Sequence, residues 1–174
     1  SWPDKSGNSN HATKSGGPTV QTDMQNGNSV LRFNGNNQFY SFPVLSDIRT
    51  VFWALRAESD NKGFVLAATN NLHFMKTVNT ASTTPFFASG AHSGVKNGDL
   101  YLNGTGITGT TTAMNNSLAN FSLLSLKTTA NVNASRFSRY HTNRYHGATS
   151  WKGDLGELII FNSALSDTEI ATIE

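Results

Sequence analysis

The chain has 174 residues, of which 37% are hydrophobic, 10% aromatic and 14% charged, and its formal net charge is +2. This length suits one substantial core, so we expect residues 1–174 to form a single domain. The small charge argues against a nucleic-acid partner, and no run approaches the roughly 18 apolar residues of a membrane span. The lack of cysteine excludes disulfides, thiolate zinc sites and cysteine nucleophiles.

Short apolar segments separated by turn-forming residues indicate an all-β fold. Asn-Gly pairs at 26, 34, 97 and 103 favour tight turns, because both residue types tolerate positive φ angles. Residues 51–55 are apolar on both faces, as expected of a covered central strand, and Trp53 within them is predicted to lie in the core. The predicted strands lie, in chain order, at residues 30–33, 38–42, 50–57, 63–69, 72–77, 86–88, 100–102, 121–127 and 155–161.

One convincing helix is predicted, at the end of the chain, in the stretch NSALSDTEIATIE. Ser166 can cap the first turn while Glu169 reaches back to it, which is the pattern of a capping box. Leu165 and Ile170 can pack together beside that cap. We therefore expect a single short C-terminal helix.

Four segments follow one another along nearly the whole chain: SWPDKSGNSNHAT, VLRFNGNNQFY, LYLNGT and WKGDLGELIIFNSALSDTEIATIE. They resemble the successive motifs of the laminin G-like, concanavalin A-like jelly-roll superfamily. The resemblance implies a two-sheet antiparallel jelly-roll sandwich with a concave face and rim loops that often bind glycans, frequently with calcium.

Members of this superfamily usually carry another strand before the motif that contains Trp2. We therefore expect the chain to be part of a larger bacterial or phage-type protein that is extracellular or lies on the surface of a cell or virion. The same sandwich serves lectins, adhesion modules, polysaccharide-degrading enzymes and spacers, so the fold does not decide the function.

The sequence RYHTNRYH at residues 139–146 contains one triplet twice. If Thr142-Asn143 is a two-residue turn, the two tyrosines face each other across a hairpin, and the arginines and histidines share the opposite face. A pyranose ring packs on an aromatic ring, and its hydroxyls or carboxylates accept hydrogen bonds from arginine. We therefore predict that a glycan or polysaccharide, and especially an acidic one, is bound by Tyr140, Tyr145, Trp151, Arg139, Arg144 and His146.

Each part of this predicted site has a simpler interpretation. The two tyrosines would also suit an ordinary cross-strand pair, and the two arginines would also keep a surface loop soluble. Trp151 follows the repeated triplets at the start of a predicted strand, where tryptophan often covers the core.

The stretch DKSGNSN, residues 4–10, sets side-chain oxygens at alternating positions that can wrap a hard cation. Calcium is therefore a candidate cofactor, with Asp4, Asn8 and Asn10 as its ligands. Asp4 is the only acidic residue of the stretch, and the same residue types form turns, so a metal-free turn is the alternative.

The carboxylates do not favour catalysis. Jelly-roll glycoside hydrolases place an acid and a nucleophile on one strand face, two residues apart. Asp154 and Glu157 are three apart and would point to opposite sides of a regular strand, while Glu58 and Asp60 lie at a strand end.

We therefore expect a non-catalytic recognition module. The alternatives are a structural or oligomerising adhesion domain that binds no small ligand and self-associates through its parent protein, and a polysaccharide-cleaving enzyme.

Overall fold

The computed structural model describes residues 1–68, 73–76, 83–138 and 150–174 of the chain. These residues form an antiparallel β structure, as the sequence predicts. The strands of the described ranges are β1 (Thr13–Ser15), β2 (Thr19–Gln25), β3 (Asn28–Asn34), β4 (Phe39–Ala57), β5 (Phe64–Ala67), β6 (Asp99–Leu102), β7 (Thr105–Ile107), β8 (Ser122–Ser138) and β9 (Lys152–Phe161). The helices are α1 (Ser93–Lys96), α2 (Met114–Ser117) and α3 (Asp167–Ile173).

Two long strands, β4 and β8, belong to both layers of the fold. Residues 50–57 of β4 pair with β9, and residues 50–55 also pair with the first part of β8, in the strand order β2-β3-β9-β4-β8-β6-β7. The earlier part of β4 pairs with β1 and with residues 132–137 of β8, which also pairs with β5. The fold is thus an all-β sandwich with a short C-terminal helix, whose layers are joined by hydrogen bonds through shared strands.

The core lies between the two layers. Trp53 is fully buried on the central strand β4, and its indole Nε1–H donates to the Val65 carbonyl at 3.1 Å, which confirms its predicted place in the core. Phe33, Phe137 and Trp151 are also buried in this cluster. On the other face of β4, Phe52 is buried and lies edge-on to Phe161, with ring centroids 6.1 Å apart.

Two of the four Asn-Gly pairs form two-residue hairpin turns. Asn26-Gly27 joins β2 to β3 and Asn103-Gly104 joins β6 to β7, and all four residues have φ between 49° and 76°. The other two pairs do not close hairpins. Asn34 ends β3 and Gly35 follows it, on the way to β4, which does not pair with β3. Asn97-Gly98 follows α1.

The predicted C-terminal helix is confirmed, together with its cap. The Ser166 hydroxyl accepts from the Glu169 N–H, while the Glu169 carboxylate accepts from the Ser166 N–H. Lys127 on β8 pairs with Asp167 of α3, and the Ser125 hydroxyl donates to Glu174 at the end of the chain. These contacts hold α3 near the outer face of the sheet. The four-residue helices α1 and α2 were not predicted.

Candidate functional site

Residues 139–146, which are rich in aromatic rings, are flanked by Ser138 and Trp151, and these two residues meet in the core. Within this segment, Arg139, Tyr140, Arg144, Tyr145 and His146 lie outside the described residues. The flanking residues Ser138 and Trp151 are both fully buried, and the Trp151 backbone N–H donates to the Ser138 hydroxyl oxygen at 2.8 Å. The same hydroxyl donates to the Gln38 carbonyl. The two residues that flank this segment in the described structure are therefore hydrogen-bonded to each other in the core, and we call this pair its base.

Trp151 is a core residue, so its predicted place in a stacking surface for a ligand is wrong. Its side chain has no exposed area, its ring lies 5.6 Å from that of Phe137, and its Nε1–H donates to the Arg56 carbonyl at 3.1 Å. A ring without exposed area cannot stack on a ligand. The alternative interpretation from the sequence, that this tryptophan covers the core, describes its position.

A buried amide network supports the same base, and nothing in the sequence signals it. Asn61 is fully buried, and its Oδ1 accepts from the backbone N–H groups of Gly63 and Lys152, each at 2.9 Å. The Asn61 carbonyl accepts from the Asn115 side chain and from the Lys76 ammonium. Burial of Lys76 lowers its pKa to about 8. These bonds fix residues 61–63 against the start of β9.

An ion cluster lies beside this network on the outer face of the sheet. Asp154 has a side chain that is 3% exposed and accepts hydrogen bonds from Arg32 and Arg56, at 2.7 and 3.0 Å. Burial alone would raise the pKa of the Asp154 carboxyl, but the two guanidinium groups hold it below its usual value. Arg56 also binds Glu58 at 2.7 Å.

The expected orientation of Asp154 and Glu157 was wrong, because β9 is not a regular strand. The register shifts so that Gly156 is extra: Leu155 pairs with Leu55, and Glu157 pairs with Ala54. This bulge places both carboxylates on the same face of the sheet as Arg56 and Ala54. Asp154 remains bound by two arginines, so the pair does not have the free acid and nucleophile that glycoside hydrolysis requires.

The predicted calcium loop is held together by its own hydrogen bonds. The two carboxylate oxygens of Asp4 accept from the backbone N–H groups of Ser6 and Asn10, each at 2.8 Å. These bonds lower the pKa of the Asp4 carboxyl. Asn8 donates its backbone N–H to the Ser6 hydroxyl at 3.3 Å. The loop is thus a hydrogen-bonded turn in which Asp4 is the one acidic residue. A calcium ion bound by Asp4, Asn8 and Asn10 stays a prediction.

Two imidazole rings, those of His73 and His92, lie with centroids 4.4 Å apart. His73 Nδ1 accepts from the Asn133 N–H at 2.9 Å, and His92 Nδ1 accepts from the Gly94 N–H at 3.0 Å. A nitrogen that accepts carries no proton, so each ring, when neutral, has its proton on Nε2. Burial lowers the pKa of His73, and His92 lowers it further. Within the described ranges, no three His, Cys, Asp or Glu side chains are grouped to hold a metal ion.

A groove lies beside β9. We call it the β9 groove: it has a volume of about 800 Å³ and lies between residues 2–12, residues 42–48 of β4 and residues 157–162. Apolar side chains that pack against the core line it, namely those of Trp2, Phe42, Leu45, Leu158 and Ile160. A glycine inside a strand often marks a bulge. Gly156 comes directly before the residues of β9 that line the groove, and it is the one sign of this irregularity in the sequence.

Comparisons of the chain with protein-family models, with curated proteins and with solved structures find no match. The resemblance to the laminin G-like superfamily therefore stays a prediction. None of the helices in the described ranges has the length and apolar character needed to cross a membrane.

Proposed function

We propose that this chain is a non-catalytic recognition module that binds carbohydrate through residues 139–146. The sequence of that segment supplies two tyrosines, two arginines and two histidines without a carboxylate. Tyrosine rings pack on the C–H faces of sugars, and guanidinium groups bind hydroxyl and carboxylate oxygens. The ligand class is a glycan or polysaccharide, and the positive charge favours an acidic sugar.

The hydrogen bond between Ser138 and Trp151 is the observation that carries this proposal. It joins two fully buried residues at the two ends of the segment, on a base that Asn61 reinforces through Lys152. Binding side chains on connecting segments depend on a rigid scaffold to position them. A stretch rich in rings and positive charge, carried on such a base, suits recognition of a ligand.

The first experiment is a glycan array probed with the intact chain, with and without calcium. Tyr140→Ala/Tyr145→Ala is the test variant, and Tyr101→Ala, on β6, is the control for loss of a tyrosine elsewhere. We expect binding by the intact chain and the control and none by the double variant. Unchanged binding by the double variant would refute the site. An intact chain that binds no glycan in either condition would refute carbohydrate recognition.

A second pair of variants tests the preference for acidic sugars. Arg139→Gln/Arg144→Gln removes two positive charges and leaves the rings in place. We expect this variant to lose binding to uronic-acid or sialylated glycans while it keeps any binding to neutral ones, since the lost interaction is between charges. Equal losses for acidic and neutral glycans would contradict the proposed role of the arginines.

A structural or assembly domain is the second candidate. Among the described strands, residues 157–161 of β9 pair with β4 alone. On the edge strand β2, Val20 and Met24 are 62% and 47% exposed. Exposed edges and apolar side chains of this kind favour contacts with other polypeptides. Solution mass separates the candidates: a stable oligomer with no glycan ligand would favour assembly.

A further inference from the structure

Two imidazole rings lie where residues 73–76 contact the segment that leads into α1. Residues 73–76 belong to no helix or strand. Two main-chain hydrogen bonds join them to that segment: the His92 N–H donates to the His73 carbonyl at 3.1 Å, and the Ala88 N–H donates to the Met75 carbonyl at 2.8 Å. The rings of His73 and His92 pack at the same place, with centroids 4.4 Å apart. We call this the 73–92 contact.

Each ring holds a different part of the fold through its Nδ1 atom. His73 Nδ1 accepts from the Asn133 N–H on β8, and His92 Nδ1 accepts from the Gly94 N–H and so caps α1. A protonated imidazole has an N–H on both nitrogens and accepts no hydrogen bond. A proton on His73 would therefore break the bond to β8, and a proton on His92 would break the cap of α1.

The two segments that form this contact carry positive charge and no carboxylate. From residue 61 to residue 98 the chain has no acidic residue, and its lysines there are Lys62, Lys76 and Lys96. The ammonium groups of Lys76 and Lys96 donate to main-chain carbonyl groups, those of Asn61 and Ser89, at 3.2 and 2.8 Å. A protonated histidine therefore finds no acidic partner on either segment.

The strand packed against the contact supplies no negative charge either. Strand β8 contacts α1 and binds His73 through Asn133, and its ionisable side chains are Lys127 and Arg136. Asp99, which follows α1, binds Lys127 at 3.3 Å. Protonation would thus add charge to a part of the molecule that is already positive, and like charges repel.

The direction of the pH effect follows from the pKa of His73. Burial lowers this pKa below the ordinary value of 6.5, and the neighbouring His92 lowers it further. When the contact opens, the ring enters water and its pKa returns to the ordinary value. The open form therefore binds a proton more readily than the closed form. The contact is at full strength well above pH 6.5 and weakens as the pH falls below it.

Opening of the contact would uncover part of the core without breaking the sheet. Phe74 is 2% exposed and belongs to the core cluster, as do Ala91 and Val95 on the facing segment. The strand pairs of the described ranges form without residues 73–76. The contact can therefore open while β4, β8 and β9 remain paired.

We propose that the 73–92 contact is an acid-sensitive device in this fold. As the pH falls from 7.5 to 5.5, the population in which residues 73–76 are separated from residues 88–96, with Phe74 exposed, rises while the strands stay paired. Histidine is the side chain whose charge ordinarily changes in this range. Protonation acts by the loss of accepted hydrogen bonds and by repulsion between like charges. The contact uses no residue of segment 139–146, so this proposal and that of carbohydrate binding can fail separately.

Amide hydrogen exchange of the ¹⁵N-labelled chain, measured by NMR at pH 7.5 and pH 5.5, tests this opening. The Ala88 and His92 amides report on it directly, because both donate across the contact. After correction for the effect of pH on free amides, we expect their protection to fall by about tenfold, the effect of one histidine that binds a proton at pH 5.5 only in the open form. Low concentrations of urea should hardly change this exchange, since a local opening exposes little surface.

A matched set of variants tests the two histidines. His73→Asn/His92→Asn keeps a side-chain acceptor at both positions, and asparagine is a good helix N-cap, but neither position titrates. We expect the same protection of the Ala88 and His92→Asn amides at both pH values in this variant. His11→Asn is the control, because His11 is exposed and its Nδ1 also accepts a main-chain N–H, that of Asp4. This control should show the same tenfold fall as the unchanged chain.

Three outcomes would overturn the proposal. The first is equal protection of Ala88 and His92 at both pH values in the unchanged chain. The second is a loss of protection that persists in the double variant. The third is exchange at Ala88 and His92 that urea speeds as steeply as exchange at residues 52–55 of β4, which would mean that the whole fold opens instead. The first and third use the unchanged chain alone, so they decide even if the double variant does not fold.

Discussion

Gly63 lies so close to Trp151 that a Cβ atom on Gly63 would stand 2.3 Å from both the backbone nitrogen and the Cα of Trp151. The contact is with backbone, which cannot turn aside as a side-chain end can. Two buried parts of the chain, residues 61–63 and the start of β9, are thereby locked together at the base of the predicted carbohydrate site.

Gly63→Ala should therefore be strongly destabilising. We expect the free energy of unfolding, measured with urea, to fall by about 3 kcal/mol, the upper part of the usual range for an overpacked site. Gly106→Ala is the control, because the nearest atoms to its Cβ are those of the Tyr101 ring at 3.9 Å. Equal effects of the two substitutions would show that the close approach at Gly63 is relieved at little cost.

Ser138→Ala removes the hydroxyl that joins the two ends of the 139–149 segment. The N–H of the fully buried Trp151 and the carbonyl of Gln38, which is 7% exposed, would both lose the Ser138 hydroxyl as a partner. We expect a loss of about 1–3 kcal/mol in the free energy of unfolding, the cost of an unsatisfied buried polar group. Ser29→Ala, at an exposed position of β3, should change the stability by less than about 0.5 kcal/mol. A loss no larger than that of Ser29→Ala would contradict this role.

Asp154→Asn tests the ion cluster on the outer face. The substitution leaves Arg32 and Arg56 facing a neutral group at a site where the Asp154 side chain is 3% exposed. We expect a loss of about 2–4 kcal/mol at pH 7, reduced from the full value for a buried pair because both arginines are partly exposed. Asp60→Asn breaks the exposed pair with Lys152 and should have little effect.

The same residue makes a prediction about acid. The pKa of Asp154 is held below its ordinary value of 3.8 in the folded chain, so the unfolded chain binds a proton there first as the pH falls. Its contribution to stability is complete above about pH 5 and is lost as the pH drops through the folded pKa. Urea unfolding of Asp154→Asn should vary less with pH below pH 4 than that of the unchanged chain. Parallel pH curves would contradict the assignment.

His73 should make the fold sensitive to mild acid. Because its folded pKa lies below the ordinary value of 6.5, the unfolded chain takes up the proton more readily. Stability should fall as the pH is lowered from 7 towards 5, since a protonated Nδ1 cannot accept from the Asn133 N–H. His73→Asn keeps an acceptor in a similar place and does not titrate. We expect a flatter profile for that variant, and an unchanged slope would exclude His73 as the cause.

Much of the fold could be predicted because the apolar pattern is strong where strands are buried. Residues 51–55 are apolar on both faces and do form the central strand. The second half of β8 was missed, because its sequence TTANVNASRFS is mostly polar. Burial there falls mainly on small or scattered side chains such as Val132, Ala134 and Phe137, which leave little periodic signal.

The candidate sites were less predictable, because they depend on contacts between distant parts of the chain. The amides of Asn61 and Asn115 meet across 54 residues, and no local pattern announces such a contact. The bulge at Gly156 reversed the orientation of Glu157 relative to Asp154, since one extra residue moves a side chain to the other face. The first is a contact between residues outside the strands, and the second comes from treating β9 as a regular strand.

The shared strands β4 and β8 have a consequence for how this fold comes apart. Residues 39–57 and 122–138 each run through both layers, so neither layer can lose its pairing without breaking the strands that the other needs. We therefore expect amide hydrogen exchange to reveal one cooperative unit. The slowest-exchanging amides of both layers should have the same free energy of opening. Both layers would then unfold together, in one cooperative transition, when the protein is heated or pulled.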